Sequence, residues 1–122
     1  MKETYETGLW GEAAAADYLT GKYGMVLLEH RFRTKCGEID LIMADGKTVV
    51  FIEVKARKTG ERGSGLSAVN LQKQKRITRA AMIYLMQNQW MRRPVRFDLV
   101  EVRGEEMIHI RNAFQPYGSF MH

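Results

Sequence analysis

Two apolar runs, Glu38–Ala44 and Lys47–Arg57, are joined by Asp45-Gly46, and this pattern constrains the fold more than any other in the chain. Asp-Gly between hydrophobic runs signals a two-residue hairpin turn, so the runs are expected as antiparallel neighbours. Within the second run, Val49-Val50-Phe51-Ile52 is apolar on both faces, as in a strand covered on both sides.

The remaining elements follow from periodicity. Leu9, Trp10, Ala13, Ala16 and Leu19 or Thr20 recur at helical steps, and Gly21 and Gly24 bracket a stop. Met25–Phe32 reads as a first strand and Cys36-Gly37 as a turn. Thr59–Gly65 reads as an exposed loop. A long helix spans about Asn70 to Asn88, with Leu71, Gln74, Ile77, Thr78, Ala81 and Leu85 on one stripe. Asn70 or Ser67 caps it. Val95–Val102 and Met107–Arg111 read as two further strands. The order α-β-β-β-α-β-β predicts an α/β fold, a mixed β-sheet flanked by helices.

At 122 residues and 45% hydrophobic content the chain is expected to form one domain over 1–114, with a tail over 115–122. The lone Cys36 excludes an internal disulfide and suits a reducing, cytoplasmic setting. Met1–Glu6 lacks the apolar core of a signal peptide, and the longest uncharged stretch, Ala80–Met91, is too short to span a membrane. The net charge of +5 suits an anionic partner such as nucleic acid.

Strand alternation puts Glu38 and Asp40 on one face of their strand, and Glu53 and Lys55 on one face of the next. Counting from an Asp45-Gly46 turn sets Asp40 opposite Phe51 and diagonal to Glu53, within reach of a shared cation. Carboxylates in the middle of apolar strands lose solvation and repel each other. A hard divalent ion resolves both costs, and Lys55 is placed to hold a water or a phosphate oxygen. The alternative is a cross-strand ion pair on a solvated face, which a strand covered on both sides disfavours.

The spacing Asp40 … Glu53-Val54-Lys55 resembles the PD-(D/E)XK nuclease signature, with Ile39 where the name has Pro. More specifically, Gly37-Glu38-Ile39-Asp40-Leu41-Ile42, Phe51-Ile52-Glu53-Val54-Lys55-Ala56-Arg57, Lys73-Gln74-Lys75-Arg76 and Arg96-Phe97-Asp98 together resemble the small bacterial YraN family, from Gly8 to Phe114. That resemblance implies a restriction-endonuclease-like core and a Mg²⁺- or Mn²⁺-dependent nuclease similar to archaeal Holliday junction resolvases. It implies Asp40, Glu53 and the Val54 carbonyl as metal ligands and Lys55 as the residue orienting the attacking water. Glu12 matches an acidic residue that related resolvases carry on their first helix; a helix-dipole carboxylate is the equal alternative.

Gln74 sits inward on its helix, as a satisfied core amide or as a support for the lysine or the substrate; both readings stand. Lys73, Lys75, Arg76 and Arg79 form a basic flank with no acid among them, suited to phosphate contact, with DNA the expected partner; Arg31, Arg33 and Arg57 extend it. A resolvase cuts two strands symmetrically, so that subtype implies a homodimer. Asp98 is expected to pair with a nearby base or to support the site, the structural role being favoured. His109 and most methionines, Met82 and Met86 among them, are expected to pack. A nucleic-acid-binding module without catalysis, in repair or recombination, is the second expected function.

Overall fold

The computed structural model describes residues 5–57 and 69–116. Its elements are α1 (Tyr5–Tyr23), β1 (Val26–Arg33), β2 (Glu38–Asp45), β3 (Thr48–Arg57), α2 (Leu71–Gln87), β4 (Val95–Arg103) and β5 (Glu106–Ile110). This is the α-β-β-β-α-β-β order expected from the sequence. The five strands lie in the order β1-β2-β3-β4-β5, all antiparallel except β3 and β4. That parallel pair requires a crossover, and α2 lies within it.

β3 explains why the sheet is covered twice. Val49 and Phe51 join one apolar cluster with Ile77, Ala81 and Leu85 of α2. Val50, Ile52 and Val54 join the other with Ala15, Ala16 and Leu19 of α1. The run Val49-Val50-Phe51-Ile52 is therefore apolar on both faces because each face meets a helix. Gly11 brings α1 close: a Cβ there would stand 3.3 Å from the Cβ of Ala56.

Three details differ from the sequence expectation. The hairpin loop is Gly46-Lys47 rather than Asp45-Gly46, since Asp45 already pairs with Thr48 and Gly46 takes φ +61°. The buried stripe of α1 is Glu12, Ala15, Ala16 and Leu19, while Trp10 is 58% exposed. Four consecutive alanines, Ala13 to Ala16, make the faces of α1 nearly indistinguishable by hydropathy, so the stripe could not be read. On α2, Leu71 and Met86 are exposed, because the residues this helix buries run only from Ile77 to Leu85. Asn70 is the N-cap, accepting from the Lys73 backbone N–H at 2.9 Å. The expected Thr59–Gly65 loop, the Ser67 cap, the Arg57 side chain and 117–122 lie outside the described residues.

The sheet also carries a buried ionic network on its α1 side. Burial alone would push the Asp98 carboxyl up, but His109 Nε2 at 2.7 Å, Arg96 Nε at 2.9 Å and the Asn112 backbone N–H at 3.0 Å hold it below its ordinary 3.8. Arg96 also donates to Asp45 Oδ2 at 3.1 Å, tying β4 to the end of β2. Because the native carboxyl is depressed, this stabilisation is complete above about pH 4 and disappears as pH falls through the lowered native value. Asp98→Asn should cost about 3 kcal/mol at neutral pH, by leaving Arg96 partly unpaired, and should flatten the acid limb of the stability curve. Thermal melts from pH 2 to 7 check both.

Candidate active site

The corrected hairpin register changes the site. The last ladder pair on this side is Leu41 with Ile52, so one further step brings Asp40 opposite Glu53, not Phe51. Strand alternation also breaks here. Ile39 and Ile42 pack on the α2 side, while Leu41 and Met43 pack on the α1 side. At this break the Asp40 carboxylate accepts the Val54 backbone N–H at 2.8 Å, taking a ladder donor of β3 by its side chain. Asp40 and Glu53 are thus fixed face to face by main-chain geometry.

Glu53 is buried at 8% exposure, and Asp40 is half-buried. Burial first, then the Glu53 charge, push the Asp40 carboxyl up, the Val54 N–H opposes and the Glu12 charge adds to the rise, so that together they take it from 3.8 to about 8. In this state Asp40 holds a proton and shares a hydrogen bond with Glu53. Two carboxyl groups held this close cannot both ionise without a cation.

The protein supplies one cation itself. Lys73, from the first turn of α2, makes an ion pair with Glu53. The sequence placed Lys73 with the phosphate-contacting flank; the structure turns it inward to the carboxylates. Lys55 is half-buried on the Glu53 face, in register with Glu101 of β4. Glu101 is buried at 3% exposure and accepts from Arg103 at 3.1 Å. Sequence reasoning missed Glu101, although a carboxylate inside Leu99-Val100-Glu101-Val102 is the same signal that singled out Glu53.

Glu12 approaches from α1 and is buried at 5% exposure. His30 Nε2 lies 2.6 Å from it, and Arg31 donates through Nε at 2.9 Å and Nη2 at 3.2 Å. Adjacent strand residues ordinarily point to opposite faces. Arg31 escapes this with φ +53°, a left-handed backbone for a long side chain, opposite Asp40 in the β1–β2 register. Such a conformation costs on the order of 1–3 kcal/mol, and the contacts with Glu12 offset it. Arg31 therefore belongs with Glu12 rather than on the open basic surface. His30 was also missed; its partner lies 18 residues away, beyond any local spacing rule.

Gln74 is half-buried and its amide donates to the Val69 carbonyl at 3.0 Å, so it satisfies the backbone ahead of α2. Lys75 is half-buried, whereas Arg76 and Arg79 are exposed. Arg76 lines a groove of about 370 Å³ with Lys73, Glu38 and Gly37, and a second of about 390 Å³ with Arg33 and Lys35. Lys73, the ion-pair partner of Glu53, thus shares a groove with Arg76, and Arg76 shares the next with Arg33. Among the described residues no three His, Cys, Asp or Glu side chains gather as a metal cluster, so the hard-oxygen set is two carboxylates and main-chain oxygen.

The profile of the uncharacterised protein family UPF0102 matches residues 11–102, a span that contains Glu12, Asp40, Glu53, Lys55 and Lys73. The chain belongs to UPF0102. This is the YraN family that the motifs resembled. A UPF0102 protein of Alkalilimnicola ehrlichii is 45% identical over 114 residues, covering 93% of this chain and 90% of that one. Another, from Stutzerimonas stutzeri, is 37% identical and covers 94% and 99%. A third, from Thermodesulfovibrio yellowstonii, is 41% identical and covers 89% and 96%. Among solved structures, one titled "Crystal structure of SSO0001" aligns with 86% of this chain at 14% identity and a TM-score of 0.42. The UPF0102 chain spans half the length of that protein. No helix among the described residues is long and apolar enough to cross a membrane.

The raised Asp40 carboxyl has a measurable consequence. A native acid raised above its unfolded value contributes stability that is complete below about pH 4 and lost as pH rises through about 8. Asp40→Asn keeps an acceptor for the Val54 N–H and removes the charge. It should melt higher than wild type in metal-free buffer at pH 9, and the gap should close toward pH 5. A gap independent of pH contradicts the assignment.

Proposed function

We propose that this UPF0102 protein is a metal-dependent endonuclease acting on structured or branched DNA. The observation that carries the reading is the facing pair of Asp40 and Glu53, held by the hairpin register and the Val54 N–H at mutual electrostatic cost. Buried hard-oxygen donors in this arrangement suit Mg²⁺ or Mn²⁺, which accept one or two carboxylates and leave positions for water and phosphate oxygens. Asp40, Glu53 and the Val54 carbonyl are the ligands. A divalent ion there would supply charge neutralisation at a phosphodiester and a more acidic water.

The chain's own residues do the rest. Lys55, on the Glu53 face, orients the attacking water through its ammonium. Glu12, clamped by His30 and Arg31, presents a fixed negative charge beside Asp40 and strengthens the field toward cations. Arg76 and Arg33 hold the flanking phosphates, contacts that position without reading sequence. Resolution of a four-way junction would need a second copy of the chain.

One observation favours the second reading, a DNA-binding module with an inert site. Lys73 already neutralises Glu53, and a permanent internal cation would remove the need for a metal. Cleavage of labelled linear, flapped and four-way-junction DNA with Mg²⁺ or Mn²⁺ separates the two. The nuclease reading predicts metal-dependent cutting reduced on the order of 10²-fold or more in Glu53→Ala and Lys55→Ala. Salt-sensitive binding without cutting selects the module, and absence of both overturns both.

A further inference from the structure

The tip of the β2–β3 hairpin and the segment after α2 enclose a cleft of about 460 Å³, lined by Lys47, Gln89, Trp90, Arg92, Arg93 and Pro94. We infer that this cleft is a second nucleic-acid contact, holding the phosphate backbone of the DNA whose scissile phosphate lies at Asp40 and Glu53. The inference rests on the nucleic-acid reading above and extends it from a site to a footprint.

The lining of this cleft holds cations and no acid, unlike the two grooves beside Arg76, each of which includes Glu38. Arg31, Arg33, Lys73, Arg96 and Arg103 each have a carboxylate partner. Among the described residues no ion pair involves Lys47, Arg92 or Arg93, and no acid lines the cleft. Like charges gathered around one cavity repel, and a polyanion relieves that repulsion while releasing its own counterions.

The cleft is also built rather than incidental. Trp90 is anchored edge-on against the core residue Tyr84 at 6.0 Å, and the Arg93 guanidinium lies 4.3 Å from its ring centroid. An aromatic wall beside unpaired cations is the combination that binds nucleic-acid strands without sequence preference. The end of α2 does not oppose this. Its last carbonyls are taken by the backbone N–H groups of Asn88, Gln89 and Trp90, at 3.1, 3.2 and 2.8 Å.

Position gives the footprint. Lys47, in the hairpin loop just before β3, precedes Glu53 by six residues, which is about 20 Å of extended chain. At 3.4 Å per base pair that distance is about six base pairs. A duplex arm shorter than this cannot reach the cleft from the cut site, so the substrate class is DNA with a duplex arm of at least that length beside the cut.

The test is equilibrium binding of a duplex of about 20 base pairs in metal-free buffer over a range of KCl concentrations, for wild type, Lys47→Ala/Arg92→Ala/Arg93→Ala and Lys47→Ala/Arg92→Ala. The second variant keeps the Arg93–Trp90 stack, so a folding defect in the first does not decide the outcome. Expected are affinity losses of about tenfold or more in the triple variant, and salt slopes lower by about 2.7 and 1.8, from 0.9 per phosphate. In Trp10→Phe, Trp90 is the remaining tryptophan of two, and its fluorescence should change on DNA addition. Unchanged affinity and slope in both variants, with Arg76→Ala weakened, overturn the second contact and leave the nuclease reading standing. A wild-type protein that binds no duplex overturns both.

Discussion

Asp40 and Glu53 face each other across a hairpin, and the fold around them keeps the pair in place. Their approach follows from three local facts: a two-residue loop at Gly46-Lys47, a broken alternation at Asp40, and the Val54 N–H captured by the Asp40 carboxylate. β3 must be buried on both faces for these carboxylates to lose solvent, which is why both helices are needed. α1 then delivers Glu12 and α2 delivers Lys73 to the same end of the strands. The geometry carries a standing electrostatic cost, visible in the raised Asp40 carboxyl.

The same sheet shows what a carboxylate placed for stability looks like. Asp98 is fully buried, yet three donors surround it and its carboxyl is lowered. Asp40 has one main-chain donor, two neighbouring negative charges and a raised carboxyl. Arg96 and His109 both pair with Asp98, whereas the donor at the Asp40 carboxylate is the Val54 backbone N–H. That contrast within one chain favours a ligand-binding purpose for the Asp40–Glu53 pair over a structural one. The strained backbone at Arg31, spent on orienting Glu12, belongs to the same pattern.

Much of this was legible in the sequence. The hairpin, both covered faces of β3, the Asn70 cap and the element order follow from period and turn chemistry. The register did not, because Asp45-Gly46 and Gly46-Lys47 both make acceptable turns and a one-residue slip changes every opposing pair. The face of α1 was hidden by four alanines. The roles of Lys73 and His30 were hidden for another reason: each is decided by a partner on a distant element, which spacing along one element cannot reveal. Arg31 was read as surface because strand alternation assumes ordinary φ.

The central claim is that the Asp40–Glu53 pair is a receptor for one divalent cation. Calorimetric titration of Mn²⁺ at pH 7 in buffers of different ionisation enthalpy tests it most directly. The account predicts one ion per chain and release of close to one proton, since Asp40 is mostly protonated before binding. In Asp40→Asn the proton release and most of the affinity should disappear together. Binding with no linked proton, or undiminished binding by Asp40→Asn, would contradict the account.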